Sequence, residues 1–248
     1  NNLFINSFSK SLGEFDLFIS FRGSFRSKLL KFFVVSKKKY QFNKNIYKNL
    51  HQVEKYNNFI NKCLNLKFPA GKLKLYPTCR SNYSKLTLGI NPGASYGTAK
   101  QWHPERFAEV ALALSSNYEI IIFGGPDEKE ISEEIEKLLA KKGVTNFKNL
   151  TGVTSVQDLI DRISCLDLFI TGDSGPMHIA ASFQVPTVAI FGPTNDNETS
   201  QWGLKKSIIV KKNLDCQPCM KRTCPLKHHN CMNLIKADDV LKAVESFY

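Results

Sequence analysis

The feature that most constrains the fold is a regular alternation of short apolar runs and amphipathic helical periods after residue 85. Apolar residues between the runs recur at helical spacing, as at Phe107, Val110, Ala111 and Leu114. Strand-like runs are predicted at Lys85–Asn91, Glu119–Phe123, Phe147–Leu150, Leu168–Thr171, Thr187–Phe191 and Ser207–Val210. Strands that alternate with helices over short links predict an α/β fold with a parallel, doubly wound sheet. Ligands of such sheets bind beyond the carboxyl ends of the strands.

Several helices carry start and stop signals. Asp127 with Glu130, and Thr154 with Gln157, have the spacing of a capping box at a helix start. Gly143 follows a helical period and is expected to end that helix.

The first third of the chain is less regular. Asp16–Phe21 is predicted to be a strand, Ser24–Phe33 and Asn49–Leu66 to be helices, and Pro69 to Tyr83 to be a linker. One strand and two helices are too few for an independent α/β domain. We therefore expect 1–85 to be a partial N-terminal domain whose opening strands lie outside this chain, and 86–248 to be a C-terminal domain.

Net charge is distributed unevenly between these two parts. Residues 1–85 hold 17 basic and three acidic side chains, whereas residues 86–248 hold 17 basic and 19 acidic ones. The basic part is expected to face an anion, such as nucleic acid, an anionic membrane or a phosphorylated substrate. The apolar residues Leu29, Leu30 and 32–35, between Arg26/Lys28 and the run Lys37–Lys39, favour a membrane surface. A solvated basic face, or a core helix with basic ends, is the alternative.

Glycine-containing loops follow the first two predicted strands after residue 85. The first loop, residues 91–102, contains Lys100, which can supply a positive charge to phosphate. It matches neither the dinucleotide-binding nor the P-loop pattern. In the second loop Asp127 is expected to cap a helix, and Glu128 to accept hydrogen bonds from a ribose diol.

The loop after the fourth of these strands, residues 171–178, is the most informative. It places Asp173, Ser174 and Gly175 before a helix, and the amides of Ser174 and Gly175 suit a diphosphate at its N-terminus. Asp173 would have to orient Lys100 or contact a sugar hydroxyl, and His178 would face the ligand or the core. No Asp-x-Asp pair is present, so amides and positive charge are expected to neutralise the diphosphate.

Four of the seven cysteines are clustered near the C-terminus as Cys216-x2-Cys219-x4-Cys224-x6-Cys231. Such thiols can bind a structural zinc ion, although the last two spacings are tighter than in common zinc ribbons. A loop with reduced or opportunistically paired thiols is the alternative. An odd cysteine count and the lack of a signal peptide favour a reducing cytosol.

Three segments resemble the bacterial lipopolysaccharide heptosyltransferases, glycosyltransferase family 9. They are NPGASYGTAKQWHPERFAEVA (Asn91 to Ala111), TGDSGPMHIAASFQVPTVAIFGPT (Thr171 to Thr194) and CQPCMKRTCPLKHHNCM (Cys216 to Met232). The third segment points toward the type II subgroup.

This resemblance implies a GT-B architecture with two facing Rossmann-like domains, of which the N-terminal one is truncated here. It implies inverting, metal-independent transfer of heptose from ADP-heptose to a lipid A-core acceptor. The protein would be cytoplasmic and peripheral on the inner membrane face, with the basic part on anionic lipid and no nucleic-acid partner.

The resemblance also assigns site residues. Lys100 and Asp173 are the expected catalytic residues, with Lys100 on the diphosphate, Glu128 on the ribose and the Ser174 and Gly175 amides on phosphate. The pocket is completed by Ser95, Asp173, Met177 and His178. The family's Gly-Asp motif, which carries the general base, is not in this sequence, so we expect the chain as printed to bind donor without turning it over.

Two other functions fit parts of the pattern. One is a different GT-B enzyme, either another nucleotide-sugar transferase or a sugar-nucleotide epimerase. The other is a zinc-containing nucleic-acid-binding protein, although the cysteines lie in the neutral part and aromatic residues are not interleaved with the basic ones.

Overall fold

The computed structural model describes residues 11, 13–77, 85–94 and 96–248. The chain divides into two compact units, residues 1–71 and residues 72–248. The domain boundary expected after residue 85 lies next to residues 78–84, which are outside the described part of the chain.

In its described residues, the first unit is a parallel strand pair with two helices. Its elements are β1 (Glu14–Ser20), α1 (Phe25–Phe33), β2 (Val35–Gln41) and α2 (Gln52–Leu64). Each strand has seven residues, and they pair in parallel from Glu14–Val35 to Ser20–Gln41. Both predicted helices and the first strand are confirmed.

Strand β2 was not predicted, because three consecutive lysines hide its alternation. Lys37, Lys38 and Lys39 are interior residues of the strand, and Lys37 Nζ lies 2.7 Å from Oδ1 of Asp16 on β1. Long lysine side chains cover a pleated surface with their methylene groups while the ammonium stays in water. The strand leads into a small core around Phe42 and Phe59.

The second unit contains the predicted parallel sheet, and all six predicted strands are confirmed. Its elements are β3 (Thr87–Asn91), α3 (Pro104–Leu114), β4 (Glu119–Ile122), α4 (Lys129–Lys141), β5 (Phe147–Asn149), α5 (Val156–Ile163), β6 (Leu168–Gly172), α6 (Gly175–Ser182), β7 (Thr187–Ile190), α7 (Asp196–Thr199), β8 (Ser207–Val210), α8 (Asn230–Asn233) and α9 (Ala237–Glu245). The strand order is β5-β4-β3-β6-β7-β8, with every neighbouring pair parallel.

This strand order locates the expected ligand crevice. Strands β3 and β6 are neighbours although two strands separate them in the chain, so the connections leave them in opposite directions. The carboxyl ends of such a pair diverge and open a crevice at the edge of the sheet. All residues of β3 and β6 are buried, so this centre of the sheet is a rigid base for the loops above it.

Two of the predicted helix caps were wrong, because the residues that form each capping box lie one or two positions away from the predicted ones. The Glu128 carboxylate accepts a hydrogen bond from the Gly125 amide at 2.7 Å, which leaves Asp127 without that role. A capping box joins Ser155 to Asp158, one residue beyond the predicted pair, with both bonds at 3.1 Å. The end of α4 is confirmed, since Gly143 has φ +76°.

Candidate functional site

A cavity of about 600 Å³ lies at the carboxyl ends of the central strands of the second unit. It is lined by the ends and loops of β3, β4, β5 and β6, including Asn91, Gly124, Thr154 and Gly175. This is the crevice that the strand order predicts, and its volume falls in the range of small-molecule and cofactor sites.

One wall of the cavity is the N-terminus of α6. Ser174 is the N-cap residue, and its side chain makes no bond to the first turn of the helix. Its hydroxyl instead lies 3.1 Å from the Thr171 hydroxyl and accepts from Asn91 Nδ2 at 3.2 Å. The first-turn amides are therefore not capped by Ser174, and Gly175 lets a ligand approach them closely. The helix dipole adds partial positive charge at this point.

Beside this helix start, Lys100 and Asp173 form a buried ion pair. Lys100 Nζ donates to Oδ2 of Asp173 at 2.5 Å and to the Asp173 carbonyl at 3.1 Å. The Thr194 hydroxyl donates to the same Oδ2 at 2.6 Å. Both side chains of the pair are only about a tenth exposed, at 10% and 8%. This geometry matches the predicted alternative in which Asp173 orients Lys100.

The sequence did not indicate Tyr96, an aromatic residue whose ring contacts two cations beside this ion pair. Lys100 Nζ lies 4.8 Å from the centroid of the Tyr96 ring, and the Arg222 guanidinium lies 5.3 Å from it. Cation–π attraction holds both charges near the ring. Arg222 is 122 positions from Lys100 in sequence, so only the folded chain brings it to this loop.

Glu128 lines the cavity, and its carboxylate lies against two glycines, Gly93 and Gly124. A Cβ atom at Gly93 would overlap the Glu128 carboxylate, and one at Gly124 would lie 3.2 Å from Oε2. The carboxylate is thus held between the loops after β3 and β4. Its half-buried position, with one bond to Gly125, leaves acceptor capacity for a diol.

An apolar patch at the start of α5 forms a further wall that the sequence did not indicate. Val156 and Leu159 line the cavity, and the Val156 side chain is 73% exposed. An exposed valine on a cavity wall offers a flat apolar ligand an area to cover.

The other residues predicted to contact the donor are Met177, His178 and Ser95. Met177 is fully buried with Ala189 and Phe191, because this face of α6 packs against β7; its side chain belongs to the core and not to the cavity. His178 is half-buried, takes part in an interaction within the protein, and is not among the residues lining the cavity. Ser95 lies outside the described residues.

The Cys-rich segment, residues 216–235, packs against the loop that carries Lys100. Ala99 N donates to the Arg222 carbonyl at 3.0 Å, and His229 Nε2 donates to the Ala99 carbonyl at 2.9 Å. The Tyr96 hydroxyl donates to the Met220 carbonyl at 2.9 Å. The segment therefore fixes the position of this loop.

The four clustered thiols differ in environment. They share one small apolar cavity of about 20 Å³. Burial, together with the neighbouring thiols, raises the pKa of Cys231 to about 11. The backbone amide of His229, helped by those of Leu226 to His228, lowers the pKa of Cys224.

The predicted zinc site receives no support from this arrangement. Among the described residues, no group of three or more His, Cys, Asp or Glu side chains is arranged to hold a metal ion. Cys231 is a core residue of the second unit and Cys216, Cys219 and Cys224 are partly exposed, so zinc binding by the four thiols stays a prediction.

Comparisons with known proteins agree with this architecture. The model of glycosyltransferase family 9 (heptosyltransferase) matches residues 5–230. Lipooligosaccharide heptosyltransferase 2 of Campylobacter jejuni is 43% identical over 97% of this chain and 77% of its own length.

Two solved structures share the fold. A family 9 glycosyltransferase from Veillonella parvula superposes with a TM-score of 0.81 at 22% identity, over 99% of this chain and 78% of its own. Escherichia coli ADP-heptose LPS heptosyltransferase II gives a TM-score of 0.74 at 21% identity, over 99% and 79%.

A parallel doubly wound sheet with a crevice at the carboxyl ends of its strands is an architecture that binds nucleotides in many proteins. The family match covers most of the chain, and a relative well above 30% identity is spanned over more than two thirds of its length. The chain belongs to glycosyltransferase family 9, the heptosyltransferases.

Proposed function

We propose that this protein transfers heptose from ADP-heptose to the inner core of lipopolysaccharide or lipooligosaccharide. The observation that carries the proposal is the crevice between β3 and β6, where Glu128 and the start of α6 line one cavity and the Lys100–Asp173 pair lies beside that helix start. The relative's name, lipooligosaccharide heptosyltransferase 2, supports the same donor and acceptor class.

The diphosphate of the donor is assigned to the N-terminus of α6. The Ser174 and Gly175 amides would bind its oxygens, and the Lys100 ammonium would donate a hydrogen bond beside them while it stays paired with Asp173. Negative charge grows on the leaving diphosphate during transfer, so donors fixed at this point lower the barrier. Asp173 acts as a positioning residue, because it holds the Lys100 ammonium through a carboxylate and a carbonyl oxygen.

The nucleoside is assigned to the other walls. Glu128 would accept hydrogen bonds from the ribose diol, and Val156 with Leu159 would cover the adenine ring. The acceptor hydroxyl would then attack C1 of the heptose from the face opposite ADP, with inversion.

We infer that this transfer needs no metal ion, because amides and Lys100 can neutralise the diphosphate. Retained ADP-heptose affinity in excess EDTA is expected. Affinity that vanishes with EDTA and returns with a divalent cation would contradict the inference.

We also propose that the first unit meets the lipid A-core acceptor at the cytoplasmic face of an anionic bilayer. Phe25 and Phe32 of α1 are 76% and 77% exposed and lie seven residues apart, hence on one helix face. Lys28 and Lys31 lie between them in the sequence, and apolar and basic residues together are the composition of a surface that binds anionic lipid. No helix in the described part of the chain is long and apolar enough to cross a membrane.

Vesicle sedimentation tests this contact. The chain should co-sediment with phosphatidylglycerol vesicles more than with phosphatidylcholine vesicles, and Phe25→Ser/Phe32→Ser should lower the bound fraction. Equal binding by that variant and the parent chain would contradict the assignment.

Competition between donors tests the proposed reaction most directly. ADP-heptose should displace a fluorescent ADP analogue at lower concentration than UDP-glucose or GDP-mannose does, and at lower concentration than ADP-glucose. Preference for a uridine or guanosine donor would indicate a different nucleotide-sugar enzyme. Preference for ADP-glucose would remove the heptose assignment.

A further inference from the structure

The charged side chains around the cavity assigned to the donor do not balance a diphosphate. In its described lining the cavity has the carboxylates of Asp127 and Glu128 and no Lys or Arg side chain. Lys100 lies beside the start of α6, but Asp173 compensates its charge at 2.5 Å. A diphosphate is negative at both phosphates, and the helix amides supply only partial positive charge. The ligand therefore needs a further cation whose charge is not already paired.

Arg222 of the Cys-rich segment is a cation of this kind beside the same loop. Its side chain is exposed, and it has no ion-pair partner among the described residues. The guanidinium carbon lies 5.3 Å from the centre of the Tyr96 ring, and Lys100 Nζ lies 4.8 Å from the same centre. An aromatic ring attracts a cation without neutralising its charge. The full charge of Arg222 is therefore available close to Lys100.

The backbone of Arg222 is held against the wall of the donor cavity. Its carbonyl accepts a hydrogen bond from the Ala99 amide at 3.0 Å. A Cβ atom at Gly97, which lines the cavity, would overlap that carbonyl oxygen and lie 2.9 Å from the Arg222 Cβ atom. The Tyr96 hydroxyl donates to the Met220 carbonyl at 2.9 Å, so the ring is anchored to the same segment. Arg222 thus begins directly behind a residue of the cavity wall.

We propose that Arg222 binds the donor diphosphate, at the phosphate farther from the nucleoside. The guanidinium would leave the Tyr96 ring by side-chain rotation and donate two hydrogen bonds from its planar fork to phosphate oxygens. The farther phosphate fits because the nucleoside is assigned to Glu128 and Val156, whereas Arg222 packs against Gly97 and does not itself line that cavity. The inference rests on the proposed function for its ligand, and adds a binding residue that the Cys-rich segment contributes.

Calorimetric titration of ADP and AMP into the 248-residue chain tests this contact, because AMP lacks the farther phosphate. Arg222→Gln should weaken ADP binding about tenfold, since a charge-assisted bidentate contact is lost, and should change AMP affinity less than about twofold. Arg222→Lys should lose less ADP affinity than Arg222→Gln, because it keeps the charge without the fork. Lys221→Gln, at the exposed neighbouring lysine, is the matched control and should change ADP affinity less than about twofold.

The pattern of losses separates a phosphate contact from other roles of Arg222. Equal ADP losses in Arg222→Gln and Lys221→Gln would indicate a general effect of charge and overturn the inference. Equal losses of ADP and AMP affinity in Arg222→Gln would mean that Arg222 only supports the loop carrying Lys100, which overturns it as well. Unchanged ADP affinity in Arg222→Gln would remove the contact.

The parent chain separates this inference from the proposed function. If the folded parent chain binds ADP and only the Arg222 variants behave otherwise than expected, the inference fails and the proposed donor site stands. Failure of the folded parent chain to bind ADP would contradict the proposed function, and the inference with it.

Discussion

At the scale of single residues, the donor site depends on one buried ion pair. Lys100 and Asp173 are each about a tenth exposed, so neither charge is well hydrated on its own. Breaking such a pair is costly because it leaves the partner charge buried and uncompensated. The pair is therefore a structural requirement as well as the proposed diphosphate contact.

Lys100→Met should lower the free energy of unfolding by about 3 kcal/mol, since Asp173 is left buried without its counter-ion. Adding Asp173→Asn should recover part of this loss, because a neutral amide needs no counter-ion and Thr194 can still donate to its oxygen. Urea unfolding of both single variants and the double variant measures the coupling. Lys205→Met, at an exposed lysine of the same unit, should have little effect. Additive losses at Lys100 and Asp173 would contradict the account.

A second prediction at this scale concerns Gly93, which has no side chain to displace the neighbouring Glu128 carboxylate. Gly93→Ala should weaken ADP binding by about as much as Glu128→Gln, because a Cβ at Gly93 would displace the Glu128 carboxylate. Gly172→Ala is the control, since a Cβ there makes only an ordinary contact at 3.8 Å. Calorimetry with ADP, and with ADP lacking the ribose diol, checks the assignment. Equal losses for the two ligands would argue against a ribose role.

At the scale of elements, the sequence predicted what is local and missed what the chain assembles from distant parts. The six strands of the second unit were predictable because each is a short apolar run between helical periods. The Lys37–Lys39 strand was not, because tertiary pairing with β1 determines it. The contact between Tyr96 and Arg222 was missed for a related reason. The two residues are far apart in the chain, and no sequence pattern indicates that they meet.

The Cys-rich segment has a structural role that its sequence did not indicate. Its spacing predicts zinc, which stays a prediction, and its contacts with Tyr96 and Ala99 show that it also supports the loop carrying Lys100. Two of its cysteines have contrasting environments. Backbone amides favour the thiolate of Cys224, whereas Cys231, seven residues later, is buried.

Their pKa values lead to a labelling prediction. At pH 7.5 iodoacetamide should modify Cys224 before Cys231, because thiolate is the reactive form and amides lower the pKa of Cys224 while burial raises that of Cys231 to about 11. Peptide mass spectrometry over a time course gives the order. Addition of urea should abolish the difference, and faster labelling of Cys231 in the folded chain would contradict the pKa assignment.

At the scale of the whole molecule, charge and cavities divide between the two parts of the sequence. The basic excess lies in the first 85 residues, which also hold a cavity of about 850 Å³ with no acidic residue in its described lining. The nearly neutral remainder holds the cavity assigned to the donor, whose described lining includes the α6 N-terminus and no Lys or Arg side chain, while Lys100 lies beside that helix start. Composition alone indicated the first division, but the donor site required the strand order, which no single segment contains.

Calorimetric titration of ADP, UDP and GDP into the chain in the presence of EDTA tests the central claim most directly. The account predicts saturable binding of ADP, weaker binding of UDP and GDP, and a loss of ADP affinity of at least about tenfold in Lys100→Met. Equal affinity for the three nucleotides, or no binding of ADP to a chain shown to be folded, would contradict the assignment of the β3–β6 crevice as the donor site.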